Sequence, residues 1–284
     1  MSGDCRLAVD FYGYCLTHHN KAVRELDFVV ANSLPIPYFG DLAAYLASPV
    51  RVLTAALNPS NQEFPDKETP RFDVDKGLLG PVELESQLSA YFKVNPYKPW
   101  FKAFEPVLNG LQASYGGKMA NEPHASTALH VDMCSPIATL PTWSHLQPEQ
   151  RAKLTIAGRK IFEWLVDELK PNIILASLGW AHLETWNADF ETGRRWDSLV
   201  KYSTTAGGAP MKAPLLVQIK EMASPNGHKF FFVNASAANK PFGKFTTERK
   251  RAVGQKLLGG IGVGASGVNP EIRGFATQQG KRQT

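Results

Sequence analysis

The sequence predicts an α/β fold of three layers, α/β/α, around a central, mostly parallel sheet of four strands. Three observations carry this. The chain holds four short apolar runs of strand length. Helical stretches separate them. The last run, through Phe230, Phe231, Phe232 and Val233, does not alternate, as in a strand covered on both faces.

The elements follow in order. Residues 1–47 read as helical, with Ala22, Leu26, Val29 and Val30 at roughly helical spacing. Pro35 and Pro37 interrupt, and a second short helix is expected from Asp41 to Leu46. Arg51–Leu57 (RVLTAAL) is the first strand and stops at Asn58-Pro59. Residues 59–80 carry Pro59, Pro65, Pro70, Gly77 and Gly80 and read as a long loop. A loop of that length in a compact domain is usually functional. Leu129–Cys134 is the second strand, ended by Ser135-Pro136. Pro148 opens a helix with the stripe Leu154, Ala157, Ile161, Leu165 and Leu169, and Pro171 ends it. Asn172–Leu178 is the third strand and Lys229–Ser236 the fourth. Residues 213–222 fit a further strand or a short helix. Residues 246–258 read as a basic helix capped by Thr246 or Thr247.

Three regions result: a helical N-terminal segment (1–48) packed on the core, an α/β domain (49–258) and a tail (259–284). The tail holds seven glycines in 26 residues, with Arg273, Lys281 and Arg282, and is expected to be disordered.

Composition bounds the function. With 284 residues, 43% apolar and 20% charged, the chain is long enough for a sizeable core without disulfide or metal staples. The balance of 31 basic and 26 acidic residues gives +5, compatible with a polyanionic partner without requiring one. Three widely spaced cysteines, Cys5, Cys15 and Cys134, make no disulfide framework, so a reducing, cytoplasmic compartment is expected. No run spans a membrane, and the N-terminus with Asp4 shows no signal-peptide pattern.

Neither metal nor cofactor is expected. His18-His19 are adjacent and the other histidines scattered, with no HExxH or paired Cys/His spacing. Gly116-Gly117 and Gly207-Gly208 lack the lysine of a phosphate loop and read as turns. Cys134 has no histidine tied to it and reads as a buried thiol. The chemistry instead gathers at strand ends, where parallel sheets bind ligands. Asn58-Pro59-Ser60, Asp132-Met133-Cys134-Ser135 and Asn234-Ala235-Ser236 each follow a strand.

These clusters resemble the motifs of the uracil-DNA glycosylase superfamily. VLTAALNPSNQEF (52–64) is similar to its first motif, an apolar strand ending in an Asx-Pro turn. HVDMCSP (130–136) is similar to its central strand, which ends in a base-reading asparagine. FFFVNASAAN (230–239) is similar to its second motif, a strand followed by H-P-S or N-P-S and a loop that enters DNA. NIILASLG fits the third strand, and the resemblance covers about residues 50–258. Ala56, Ser60, Asp132 and Ala235 depart from the usual glycine, glycine or tyrosine, asparagine and proline. Three cysteines exclude the versions that hold an iron–sulfur cluster.

The resemblance implies a metal-free, monofunctional, monomeric enzyme that flips a base out of double-stranded DNA and hydrolyses its N-glycosidic bond. Asn58 would orient the water through its carbonyl, with Glu63 as an assisting base. Asn234 would stabilise the leaving base and Ser236 would hold a phosphate. Phe72, 14 residues after Asn58, or its rival Phe64, would stack on the base. Lys240, Lys244, Arg249, Lys250 and Arg251 would contact phosphates, and Phe242 would fill the gap left by the flipped nucleotide. Asp132, as a carboxylate, accepts from the exocyclic amino group of cytosine and repels O4 of uracil. A proton shared with cytosine N3 would favour activity on the acid side of neutral. Ser60, in place of a bulky tyrosine, leaves room at C5. The expected substrate is therefore a 5-substituted cytosine, such as the glucosylated 5-hydroxymethylcytosine of phage DNA that defensive members of the superfamily excise. Lys67, Glu68 and Arg71 are candidates to contact the modification.

Each residue also has a plainer reading: a turn cap for Asn58, a strand-end cap for Asp132 and Asn234, core for Phe64 and Phe72, and a solvated basic face for 246–258. Two alternatives follow. One is a uracil or mismatch glycosylase of repair. The other is a non-catalytic DNA-binding or damage-sensing module, in which Ala56 and Ala235 mark a decayed site.

Overall fold

The computed structural model describes residue 7 and residues 9–65, 70–74, 79–187 and 195–261. The elements are, in order, α1 (Val9–Glu25), β1 (Tyr38–Phe39), α2 (Leu42–Leu46), β2 (Val52–Ala56), α3 (Pro81–Val94), α4 (Lys98–Phe101), α5 (Glu105–Gly110), β3 (Ala113–Ser114), β4 (Ser126–Thr127), β5 (Leu129–Asp132), α6 (Pro148–Leu169), β6 (Ile173–Ala176), α7 (Trp180–Asn187), β7 (Asp197–Thr204), β8 (Pro210–Ala223), β9 (Lys229–Ala235) and α8 (Thr247–Ile261). Short 3-10 turns lie at Asn61–Glu63 and Trp143–His145.

The four expected strands form the parallel heart of the sheet, in the order β5-β2-β6-β9. The sheet itself has seven strands among the described residues, in the order β1-β5-β2-β6-β9-β8-β7, not four. The three additions pair antiparallel: β1 on β5, β8 on β9 and β7 on β8. Residues 213–222 thus belong to a strand. β7 escapes a periodicity reading because most of its residues are exposed, leaving no apolar run to detect.

The first expected helix is shorter than the sequence suggests, and Val29 and Val30 lie beyond its end. Val30 N–H instead donates to Ala138 O and Leu140 N–H to Phe28 O, so this segment lies along the chain after β5. The N-terminal region also supplies edge strand β1. Asp41 caps α2, accepting from Ala44 N–H at 3.1 Å. Pro148 lies in the first turn of α6, and Lys170, left-handed at φ 46°, ends it. In α8, Gly259 and Gly260 are helical; residues 262–284 lie outside the described residues.

Helices flank the sheet. α1 contacts α3 and α6, and α5 contacts α8. Glycine permits two close approaches. A Cβ on Gly158 of α6 would stand 2.0 Å from Cys134 O, so the helix lies directly on the chain leaving β5. Gly110 and Gly254 face each other's backbones across α5 and α8, where Cβ atoms would meet carbonyl oxygens at 2.2 and 2.1 Å. Cys15 and Cys134 are buried and form no disulfide among the described residues. No described helix is long and apolar enough to cross a membrane.

Candidate active site at the carboxyl edge of the sheet

Register sets the site. Asp132 pairs with Ala56, Ala55 with Ala176, and Ala176 with Asn234, so the parallel strands finish nearly level. The residues that follow them meet in one cleft of about 560 Å³, within the range of small-ligand sites. Asn58, Ser60, Glu63 and Asp132 all line it.

Asn58 is held by its amide nitrogen, which donates to Thr139 Oγ1 at 3.0 Å and Ile137 O at 3.2 Å. Its carbonyl oxygen has no partner among the described residues, so it is available to a ligand or water. Ser60 caps the short turn that follows, its Oγ accepting from Gln62 N–H at 3.2 Å. That turn carries Glu63 inward. Glu63 Oε2 accepts from Tyr91 OH at 2.5 Å and lies 3.9 Å from Arg71 Nε. Burial pushes its carboxyl up to about 7, against the pull of Tyr91 and Arg71.

Asp132 is 4% exposed. Burial holds its carboxyl well above the usual range, and the Glu63 charge raises it further. Its Oδ1 has no hydrogen-bond partner among the described residues and lies 3.8 Å from His130 Nε2. That is ion-pair range, but burial also lowers His130 to about 3. Burial thus favours the neutral form of both groups, and with it a dipolar contact over an ionic one. The sequence expectation took Asp132 as ionised, whereas its burial favours the protonated acid. A neutral acid both donates and accepts.

Aromatic rings line the cleft, but not the two expected. Phe72 is buried behind it, stacked on Tyr91 at 5.2 Å, and Phe64 packs on Phe72 at 5.6 Å; neither lines the cleft. Phe39, Tyr97, Trp100, Phe101 and Trp143 do. Tyr97, Trp100 and Phe101 fall in one short aromatic stretch, NPYKPWF, the signal that sequence reading passed over. His130 was legible too, since it stands two residues before Asp132 and so shares its face of β5.

The second motif is corrected most. Asn234 Oδ1 accepts from Leu178 N–H at 2.9 Å and its Nδ2 donates to Leu178 O at 3.2 Å. It does not line the cleft, and it positions the loop after β6 that does. Ser236 Oγ is tied to Leu216 N–H and Leu216 O, closing β8 on β9, and is not free for a phosphate. Phe242 is 0% exposed, at φ 52°, packed on Phe104 and Phe245, with its N–H donating to Ser177 Oγ. It is core and no wedge. Lys240 and Lys244 are exposed beside the Ala237–Asn239 stretch that lines the cleft. Arg249 lies over the Tyr202 ring at 4.5 Å and donates to Thr204 O and Thr205 O, so it braces the β7–β8 hairpin.

Arg71 donates to Gln62 O and Asn95 O and lies over the Tyr97 ring, bracing the Glu63 wall. Lys67 and Glu68 lie outside the described residues. No group of three or more His, Cys, Asp or Glu among the described residues is placed to hold a metal ion. The arrangement can orient a nucleophile at Asn58, exchange a proton at Glu63 and give or receive a hydrogen bond at Asp132, between aromatic walls. No known protein family, curated protein or solved structure matches this chain.

Proposed function

We propose that this protein is a monofunctional DNA glycosylase that hydrolyses the N-glycosidic bond of a flipped base, with a 5-substituted cytosine as substrate. One observation carries the reading. Asn58 and Glu63, which follow β2, and Asp132, at the end of β5, converge in one aromatic-walled cleft at the carboxyl edge of a parallel sheet.

The chemistry is an addition of water. The Asn58 carbonyl orients the water, and Glu63, with a pKa of about 7, takes its proton as the glycosidic bond breaks. The departing base gains negative charge, which Asp132, its carboxyl raised by burial and so protonated in this reading, relieves by donating its proton or a hydrogen bond. A protonated Asp132 matches cytosine N3, to which the oxygen that faces the cleft can donate its O–H. Of the rings that line the cleft, Tyr97 and Trp100 are half-buried and can meet a heterocycle, while Phe39 and Phe101 are buried in its wall. At about 560 Å³ the cleft leaves room beyond a pyrimidine for a C5 substituent, and Ser60 adds no bulk there.

DNA would lie over the rim. Lys240 and Lys244 supply exposed positive charge for phosphates. Leu140, 59% exposed and two residues from the cleft residue Thr142, takes the part of apolar wedge that the buried Phe242 cannot.

The test is an abasic-site assay on duplexes carrying uracil, cytosine, 5-hydroxymethylcytosine or its glucosylated form, followed by alkali, with Asn58→Ala as control. Cleavage only at a modified cytosine, lost in the control, is expected. Cleavage at uracil would return the repair reading. DNA binding without cleavage at any base would favour the non-catalytic module.

A further inference from the structure

A line of buried side chains stands behind Asp132. Tyr115 OH is 2.6 Å from Thr54 Oγ1, and Thr54 Oγ1 is 2.7 Å from His130 Nδ1. His130 Nε2 is 3.8 Å from Asp132 Oδ1, an oxygen shielded from solvent and lacking a partner among the described residues. All four residues are buried. No step of the chemistry above uses the first three. An unpaired buried oxygen is costly, so such a line has a job to explain.

Proton counting narrows its arrangements. Each hydroxyl has one proton, and a neutral imidazole has one. The Thr54–His130 separation of 2.7 Å is usual for a hydroxyl donor and at the lower limit for an imidazole N–H. Thr54's other acceptor, Leu129 O, is at 3.4 Å, a much poorer bond. The arrangement with the better bonds has Thr54 donating to Nδ1 and Tyr115 donating to Thr54. His130, neutral through burial, then carries its proton on Nε2, on the Asp132 side. An N–H facing Oδ1 favours the carbonyl there and leaves the acid proton on Oδ2. With Oδ1 on the His130 side, Oδ2 is the oxygen left to meet a ligand in the cleft. The opposite tautomer would turn Thr54 to the 3.4 Å acceptor and let Oδ1 carry the proton.

We propose that Tyr115, Thr54 and His130 are positioning residues that fix Oδ1 of Asp132 as acceptor and Oδ2 as donor. The cleft thereby selects a heterocycle that presents a ring-nitrogen lone pair, as cytosine and its C5 derivatives do at N3, over one that presents a ring N–H, as uracil and thymine do. The mispaired ring N–H would face an O–H, leaving two buried donors opposed. This rests on the base-reading role given to Asp132. It supplies what a neutral carboxyl lacks alone, since a freely turning acid pairs with either base.

Two measurements test it on the full chain. Nitrogen NMR of the labelled protein reads the His130 tautomer directly. A pyrrole-type Nε2 and pyridine-type Nδ1 are expected, and the reverse assignment overturns the proposal whatever the protein catalyses. Fluorescence-anisotropy titrations then compare duplexes bearing one 5-hydroxymethylcytosine or one uracil. Thr54→Val, which removes the relay hydroxyl at equal volume, is expected to lower the cytosine-over-uracil binding ratio about tenfold, the worth of roughly one hydrogen bond. Thr54→Ser keeps the hydroxyl and is expected to hold the ratio within about twofold of wild type. An unchanged ratio in Thr54→Val overturns the relay while leaving base reading by Asp132 intact. A wild-type ratio of one, with the expected tautomer, overturns the base reading itself and with it the selection.

Discussion

Asn58 Nδ2 donates to Thr139 Oγ1 at 3.0 Å, which ties the turn after β2 to the chain after β5. Thr139 is itself bridged to Ser60 on one side and Val29 on the other. The bond decides which end of the Asn58 amide faces the cleft. Nitrogen is spent on the protein and oxygen is left for water. Thr139→Val keeps the shape and removes the acceptor. Ile137 O remains, so we expect a fall of about three- to tenfold in the abasic-site rate, the worth of one hydrogen bond. Asn58→Ala removes the carbonyl and should cost about a hundredfold or more. A Thr139→Val rate equal to wild type would show that this bond does not orient Asn58.

Glu63 makes both stability and rate depend on pH. Its carboxyl is raised from 4.5 to about 7 in the folded chain. Between those values the folded state keeps a proton that the unfolded state has lost. Stability is therefore greatest below pH 4.5 as far as this group goes, and falls as pH rises to about 7. The span amounts to ~3 kcal/mol. Glu63→Gln should remove this slope, which melting curves from pH 5 to 8 for both proteins will show. As the proposed base, Glu63 should also give a rate that climbs through pH 7. That moves the optimum above the acid side of neutral expected from Asp132 alone.

Asp132→Asn replaces a neutral acid with an amide of the same shape. With its carbonyl toward His130, the amide still offers a donor to the cleft but has no acid proton to give to the leaving base. We expect the cytosine-over-uracil preference to persist while the abasic-site rate falls at least tenfold, read from parallel assays. A lost preference would show that His130 does not fix the Oδ1 side as acceptor.

Asn234 separates a structural role from a catalytic one. Its two hydrogen bonds to Leu178 hold the loop after β6. Asn234→Ala should cost about 2 kcal/mol and lower Tm by roughly 4–8 °C. A large loss of rate with unchanged Tm would restore it as a group acting on the leaving base.

Lys240→Ala and Lys244→Ala address DNA contact. Each should weaken binding to any duplex alike and reduce the slope of log affinity against log salt by about one. Unchanged slopes would move the DNA path away from this loop.

The sequence by itself determined the α/β class, the four parallel strands and the edge where they end. Each strand is a short apolar run stopped by a polar or proline cluster, so its limits are local. Asn58, Ser60, Glu63 and Asp132 were legible for the same reason, because they stand within or just after strand ends. Only the tertiary structure decided which polar groups remain free. Asn234 and Ser236 have the same strand-end signature as Asn58, yet both are spent on backbone partners 56 and 20 residues away in the chain. Phe242 reads as a loop wedge, but distant Phe104 buries it. The aromatic walls come from β1, α4 with its cap Tyr97, and the turn at Trp143–His145, which no motif links to β2. The raised pKa values of Asp132 and Glu63 were likewise hidden, because they follow from burial and, for Asp132, from the Glu63 charge, which exist only once the strands stand side by side.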